Sequence, residues 1–479
     1  MNLFSRNCVF FCVHLCTLST IVALLSLGLV ACATPGPEGS PGEALPKELP
    51  RESRGGPPGA EADDLLPPGG AGSAVAGAGL LLDDALRERA VQDMLSRMTL
   101  EERVGQLFMP ALVVDSRGAP LVELDEATRA MIGTVQPGGV ILFGANLRDP
   151  DQTRRLVEDL QEASPIPLLV AVDQEGGIVS RLNSSTRMPA TAIPSAWRIG
   201  LTGSEELAYA IAGAMARELR SLGITMNFAP VADILTNPEN PVIGSRAFGS
   251  DPHLVARMVA ATVRGLQDNG VSAVIKHFPG HGDTREDTHY QSVIVDHDLE
   301  RLRTLEFIPF REGITAGAEG VMTAHISLPR VVGDDTPATL SPEVLQGMLR
   351  KDLGYSGLIV TDSLVMKALD RFAPPDERPL RAFQAGADLL LYPLSPEGSF
   401  RRILRALEEG EIPEDALNRA VGRILRVKFE RGLLGPPGDP SRESPEGRFS
   451  RPVRFVPEAV EMGTPEHLQL VEEVYRRTS

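Results

Sequence analysis

The alternation of short apolar runs with amphipathic helical stretches is the feature that most limits how this chain can fold. Eight runs are rich in β-forming residues and have the length of buried strands. In chain order they read VGQLFMPAL, GGVILFG, PLLVAVDQ, MNFAPVAD, SAVIKHF, GVMTAHISL, GLIVTDS and ADLLLYP. Eight such strands alternating with helices predict an α/β fold, a parallel (β/α)8 TIM-type barrel over residues 83–435. A doubly wound open sheet shares the alternation, but no dinucleotide-binding or P-loop glycine pattern follows any of the runs.

Capping residues and prolines mark the predicted helix starts. Thr99 and Glu102 have the spacing of a capping box, in which each side chain bonds the backbone N–H of the other residue. Asp251-Pro252 and Ser341-Pro342 each place a cap residue before a proline at the first helical position. Helices are therefore expected to begin at these three places.

The N-terminal segment predicts a secretion signal followed by a tether. An apolar run follows Arg6, and the sequence LVAC at residues 29–32 resembles the lipobox of bacterial lipoproteins. We expect residues 1–31 to be a lipoprotein signal peptide and Cys32 to carry the lipid. Residues 32–82, rich in Pro, Gly and Ala, then form a flexible linker. An uncleaved membrane helix is the alternative for the apolar run.

Lipidation would place the protein at the cell envelope, held to the membrane by an N-terminal lipid anchor. Ala33 rather than Asp follows the cysteine, which in a Gram-negative host implies the outer membrane, on the periplasmic side. At the other end, residues 436–479 comprise a breaker-rich linker and a helical stretch, PEHLQLVEEVYRRTS. This segment is interpreted as the remnant or the start of a second domain.

Charge and cysteine usage exclude several classes of protein. The formal net charge of −17 argues against a nucleic-acid partner held by basic patches. All four cysteines lie within the first 32 residues. The remainder of the chain therefore has no disulfide, no thiol nucleophile and no cysteine-ligated zinc.

Ionisable residues collect where the predicted strands end. In a (β/α)8 barrel the carboxyl ends of the strands form the face that carries the chemistry. The residues concerned are Asp173, Arg181, Arg246, Lys276, His277, His281, Asp287, His289, His325 and Asp362. Any one of them alone has a structural explanation, such as a rim ion pair, a helix cap or a core histidine. Their recurrence at successive strand ends favours a shared site.

The histidine-rich stretch KHFPGHGDTREDTH, residues 276–289, raises the question of a metal. His277 and His281 have the i, i+4 spacing of ligands on a helix, but Pro279 and Gly280 prevent a helix there. The sequence has no H-E-x-x-H motif and no G-x-S-x-G nucleophile elbow. We expect no metal and no cofactor.

Taken together, the motifs resemble a known enzyme family. They are KHFPGHGDT with a trailing Asp-x-His, AVDQEGG with a following Arg, NFAPVADI, NPVIGSRAFG, MTAHI and GLIVTDSLVMKAL. They resemble the barrel of glycoside hydrolase family 3, and within it the β-N-acetylglucosaminidase (β-hexosaminidase) branch, over about residues 85–435. The resemblance implies a retaining exo-β-N-acetylglucosaminidase that acts on peptidoglycan fragments or chito-oligosaccharides.

The resemblance also implies roles for individual residues. Asp362 is then the nucleophile, His289 the general acid/base and Asp287 the residue that orients His289. Residues that match first-subsite positions of the family are Asp173, Arg181, Arg246, Lys276 and His277. The usual Asp-Ser-His appears here with Thr288 in the middle. A histidine suits the acid/base role because its pKa lies near neutrality and a neighbouring carboxylate adjusts it.

Three alternatives remain open from the sequence. A family 3 β-glucosidase is one, although the Asp287/His289 pair belongs to the N-acetylhexosamine branch. A phosphorylase is the second, because a neutral histidine does not repel an anionic acceptor. A non-catalytic cell-wall-binding lipoprotein is the third, and the retention of Asp362 beside the pair argues against it.

Overall fold

A computed structural model describes residues 84–435 and 462–479 of the chain. The predicted signal peptide (1–31), Cys32, the flexible linker (32–82) and the linker that begins at residue 436 lie outside the described residues. Within the described residues, no helix is both long enough and apolar enough to span a membrane.

Eight short parallel strands form the centre of the fold, and each of the eight predicted runs contains one of them. The strands are β1 (Phe108–Met109), β2 (Gly139–Ile141), β3 (Leu169–Val172), β4 (Met226–Asn227), β5 (Ser272–Phe278), β6 (Gly320–Thr323), β7 (Leu358–Val360) and β8 (Leu390–Leu391). Their residues are buried because helices or other side chains cover both faces of the sheet. The predicted α/β class is confirmed.

Strand pairing gives a curled, parallel half-barrel sheet. Six strands pair in the order β7-β6-β5-β4-β3-β2, and β1 pairs separately with β8. Single parallel bridges join Ala111 to Ile141 and Val360 to Leu389. Because all these strands run in the same direction, their carboxyl ends lie at one edge, where the predicted site residues follow β3, β5, β6 and β7.

Helices alternate with the strands along the chain. The α-helices are Asp84–Arg97, Leu100–Gln106, Glu126–Val135, Pro150–Ala163, Ala196–Leu201, Glu205–Ser221, Pro252–Asp268, Leu299–Arg301, Phe307–Thr315, Pro329–Val332, Arg378–Ala385, Pro396–Glu408, Glu414–Glu430 and Pro465–Thr478. The segments Leu302–Glu306 and Glu343–Asp352 are π-helical.

Two of the three predicted helix starts are α-helical as expected. Thr99 and Glu102 form the reciprocal capping box, and Asp251 accepts the backbone N–H of Leu254. The side chain of Ser341 accepts the N–H of Val344 as a cap would, but the helix that follows is a π-helix.

The C-terminal helix Pro465–Thr478 packs on the helix Glu205–Ser221. Its Val474 is fully buried, and Nδ1 of His467 lies 3.0 Å from the carboxylate of Glu218. Thr191 and the backbone N–H of Gly463 also donate to that carboxylate. Burial raises the pKa of Glu218, but these donors outweigh it and hold the pKa below its ordinary range. The helix therefore docks through a buried charged group as well as through apolar contact.

Candidate active site

Lys276, on β5, lies at the centre of a charged cluster. Its ammonium group donates to Asp173 at 2.8 Å and lies 2.6 Å from Glu175. Arg181 lies 3.6 Å from the other oxygen of Asp173. Arg246 binds both oxygens of Glu175, through Nε at 2.8 Å and Nη2 at 2.9 Å. Four predicted substrate-binding residues thus meet around Glu175, a carboxylate to which the sequence interpretation gave no role.

Glu175 is held in its charged form by its neighbours. Burial alone would raise its pKa, but the charges of Arg246 and Lys276 outweigh burial and hold the pKa far below the ordinary range. For Arg246, burial alone would lower the pKa, and Glu175 more than offsets this effect. Glu175 and Arg246 therefore form a charged pair within the cluster at neutral pH.

A tight hairpin after β3 turns Glu175 inward. Its strands Gln174–Gly176 and Val179–Ser180 are antiparallel, and Gly176 has φ +95°. A Cβ atom at Gly176 would lie 2.5 Å from the carbonyl oxygen of Pro194. Only glycine fits this conformation and this close approach. The Gly-Gly of the DQEGG segment was the sequence signal for the turn.

His277 is oriented by Asp233, a buried carboxylate in the loop after β4. Nδ1 of His277 lies 2.7 Å from Asp233, which also faces the backbone N–H of His277. Nη2 of Arg246 lies 3.4 Å from Nε2 of His277 and can only donate. Nε2 therefore accepts, and Nδ1–H donates to Asp233. The sequence interpretation did not give Asp233 a role.

Asp287 and His289 form a hydrogen-bonded pair in the loop after β5. One oxygen of Asp287 accepts from the backbone N–H of His289 at 2.8 Å and from its Nδ1–H at 2.7 Å. Burial lowers the pKa of His289, but the bond to Asp287 and the charge of Asp362 outweigh it and raise the pKa above the ordinary value. The bond to Asp287 uses Nδ1 of His289. The other ring nitrogen, Nε2, makes no bond to Asp287 and is the atom from which His289 would donate a proton.

Asp362 lies two residues after the end of β7 and is the third member of the predicted catalytic set. Its Oδ1 accepts the backbone N–H of Ser363 at 2.7 Å. Burial raises its pKa, but electrostatic interactions with His325, His277 and His289, together with the hydrogen bond from Ser363, outweigh burial and lower the pKa below the ordinary range. Asp362 is therefore a carboxylate at neutral pH, which a nucleophile requires.

His325, after β6, supports the backbone beside Asp362. Its Nε2–H donates to the carbonyl oxygen of Ser363 at 2.9 Å, and its Nδ1 lies 2.8 Å from the hydroxyl of Thr339. Burial lowers the pKa of His325, so the ring is neutral near neutral pH. The histidine is thus satisfied by neighbouring groups rather than directed at a ligand.

Possible metal ligands are not grouped as a metal site requires. Within residues 84–435 and 462–479, no group of three or more His, Cys, Asp or Glu side chains is arranged to hold a metal ion. The predicted site residues instead form two adjoining sets. One is the cluster around Lys276 with His277, and the other joins Asp287 and His289 electrostatically to Asp362.

Comparison with known protein families identifies the family to which this chain is related. Residues 99–427 match the family described as the glycosyl hydrolase family 3 N terminal domain. The chain belongs to glycosyl hydrolase family 3. The predicted family is confirmed, and both sets of site residues lie inside the matched range.

Curated and solved members of family 3 include similar proteins. Beta-hexosaminidase A of Pseudoalteromonas piscicida is 36% identical over 338 residues, which cover 65% of this chain and 56% of that protein. Beta-hexosaminidase LpqI of Mycobacterium tuberculosis is 38% identical over 312 residues, which cover 63% of this chain and 78% of that protein. A solved family 3 beta-N-acetylglucosaminidase from Paenibacillus sp. str. FPU-7 has a TM-score of 0.70 at 40% identity, covering 80% of this chain and 69% of that chain.

Proposed function

We propose that this protein is a retaining exo-β-N-acetylglucosaminidase. It removes terminal N-acetylglucosamine from peptidoglycan fragments or chito-oligosaccharides. The observation that carries the proposal is the hydrogen-bonded pair Asp287–His289, which interacts electrostatically with the partly buried carboxylate Asp362. Such an arrangement supplies both a proton donor and a nucleophile, the two groups that a retaining glycosidase requires.

In the proposed first step, Asp362 attacks the anomeric carbon. A carbon–oxygen bond to the carboxylate forms as the glycosidic bond breaks, and Nε2–H of His289 gives its proton to the departing oxygen. In the second step the neutral His289 takes a proton from water, whose oxygen displaces Asp362. The raised pKa of His289 suits the first step because it keeps the ring protonated closer to neutral pH.

The charged cluster around Lys276 is proposed to bind the sugar of the first subsite. Asp173, Arg181 and Lys276 offer hydrogen-bonding groups suited to sugar hydroxyls. Within the described residues, Nε of Arg181 is buried and has no hydrogen-bond partner, so a ligand oxygen there would satisfy it. Arg246 and His277 complete this proposed subsite.

The half-barrel sheet is proposed to close into a (β/α)8 barrel. The bridge between Ala111 and Ile141 and the bridge between Val360 and Leu389 support this proposal, since they connect the pair β1–β8 to both ends of the six-stranded sheet. Closure would bring the ends of β3, β5 and β7 around one mouth.

Activity on a panel of nitrophenyl glycosides tests the function. We expect hydrolysis of the N-acetylglucosaminide and little or no hydrolysis of the glucoside. Each reaction is run with and without phosphate, since a phosphorylase would release the sugar 1-phosphate and respond to phosphate. Preference for the glucoside, or inactivity of the purified protein on both substrates, would contradict the proposal.

A further inference from the structure

His281, to which neither catalytic step gives a role, is a buried histidine with both ring nitrogens engaged. Its Nδ1 lies 2.9 Å from the hydroxyl of Thr284, and its Nε2 lies 3.3 Å from the hydroxyl of Thr288. The side chains of all three residues are almost wholly buried, so water does not compete for these contacts. Thr288 is the residue between Asp287 and His289.

The surrounding bonds define the direction of each contact. The hydroxyl of Thr284 donates to the carbonyl oxygen of His281 at 3.0 Å and accepts from the side-chain amide of Asn240 at 3.1 Å. Its single proton is therefore used, and it accepts from Nδ1–H of His281. Burial is the main effect that lowers the pKa of His281, to about 4, so the ring is neutral. Nε2 then accepts the hydroxyl proton of Thr288.

The backbone of Thr288 is bound from a different side. Its carbonyl oxygen accepts the N–H of Ala368 at 3.3 Å, in the segment that follows Asp362. The backbone N–H of His281 in turn donates at 2.6 Å to Asp233, the carboxylate that orients His277. Thr288 thus connects the loop that carries His289 to the segment beside the nucleophile and, through His281, to the sugar-binding cluster.

We propose that Thr288, anchored by His281, is a positioning residue that holds the Asp287–His289 pair in place for catalysis. This inference rests on the proposed acid/base role of His289. The side chain of Thr288 points to His281 rather than to the sugar subsite, so its effect is exerted through the neighbouring residues. Loss of the Thr288 hydroxyl should slow every step that needs His289 and leave the rate of the other steps unchanged.

The variant Thr288→Val removes the hydroxyl and keeps the branched shape, and Thr288→Ser keeps the hydroxyl. For Thr288→Val we expect kcat on a chitobiose substrate to fall about tenfold. Losing one buried hydrogen bond would reduce by about that factor the fraction of molecules in which His289 is correctly placed. Thr288→Ser should retain most of the wild-type rate. Formation of the glycosyl–enzyme from dinitrophenyl N-acetylglucosaminide should stay near wild type in both variants, because that leaving group needs no proton.

Rescue by azide separates positioning from general damage. Azide attacks the glycosyl–enzyme, forms a carbon–nitrogen bond and displaces Asp362 without needing a base. It should therefore restore turnover of the dinitrophenyl substrate by Thr288→Val and give the glycosyl azide. Misfolded protein would not be rescued. Wild-type kcat on chitobiose for Thr288→Val, or a loss of turnover of the dinitrophenyl substrate that azide does not restore, would overturn the proposal.

Two further variants serve as controls. Thr191→Val removes another buried hydroxyl, which donates to Glu218 at 2.6 Å, and should lower stability without changing kcat.

In a His281→Phe background, Thr288→Val should cause no further loss of kcat, because the two residues act through one bond. Equal losses in both backgrounds would contradict the anchoring role. Inactivity of the wild type on chitobiose would instead count against the proposed function itself.

Discussion

At the scale of single residues, the two carboxylates Asp362 and Asp287 have different neighbours and are therefore suited to different roles. Asp362 interacts electrostatically with the histidines His325, His277 and His289, and these interactions lower its pKa despite burial. Asp287 is instead bonded to one histidine, and its charge raises the pKa of that ring. One carboxylate is thereby suited to attack, and the other to adjusting a proton donor.

Substitution should separate the two catalytic roles. Asp362→Ala should abolish turnover of every substrate, because the glycosyl–enzyme bond cannot form. His289→Ala should still react with nitrophenyl N-acetylglucosaminide in the first step and lose about 10²–10⁴-fold on disaccharides. Slow deglycosylation should then accumulate the covalent intermediate, measurable as a burst and by intact mass. Equal losses on both substrates without a burst would show that His289 is not the acid/base.

The raised pKa of His289 predicts the alkaline limb of the pH profile. The free enzyme needs His289 protonated, so kcat/KM for a disaccharide should fall as pH rises through that pKa, which lies above the ordinary value of about 6.5. Asp287→Asn replaces the carboxylate whose hydrogen bond does most to raise the pKa of His289, so the limb should move to lower pH even though the charge of Asp362 remains. Asp283→Asn, a carboxylate paired with His297 in the same loop, is the control and should leave the limb unchanged. An unmoved limb in Asp287→Asn would contradict the assignment.

At the scale of elements, the C-terminal helix is held partly by one buried hydrogen bond, between His467 and Glu218. His467→Ala should lower the free energy of unfolding by about 1–3 kcal/mol, the cost of leaving a buried charged group short of a partner. The lowered pKa of Glu218 means that its stabilisation is present above the ordinary pKa of about 4.3 and is lost as pH falls through the folded value. The effect of His467→Ala should therefore be measured by chemical denaturation near neutral pH.

The same helix provides the control. Leu468 is the next residue and is about half exposed. Leu468→Ala should change stability by no more than about 0.5 kcal/mol. Similar losses for the two variants would mean that the helix is held by general packing rather than by the bond between His467 and Glu218.

The sequence predicted elements better than contacts between them. The strands and two of the helix starts could be predicted from the sequence, because burial patterns and capping residues are local features. The role of Asp233 could not be predicted, because it binds His277 and His281, which lie 44 and 48 positions later in the chain. Glu175 was missed because its partners come from a distant loop and from β5, and spacing alone does not say which side chain of DQEGG turns inward.

At the scale of the whole molecule, attachment to the envelope is the remaining prediction. The net charge of −17 does not favour binding to anionic lipid, and no helix in residues 84–435 or 462–479 can span a membrane. We propose attachment through the N-terminal segment, where the sequence predicts the lipid. A lipid on Cys32 would hold the folded enzyme at the membrane through the predicted linker while leaving the mouth of the site accessible to soluble sugars.

Cys32→Ala should release the protein from the membrane fraction, because the variant has no thiol at the predicted lipidation position. The wild type should be extractable only with detergent, and its mature intact mass should begin at residue 32 with the added lipid. Cys16→Ala, which changes a cysteine of the segment to be removed, is the matched control and should stay membrane-bound. Retention of Cys32→Ala in the membrane at the mass of the full chain would instead identify the apolar run as an uncleaved membrane helix.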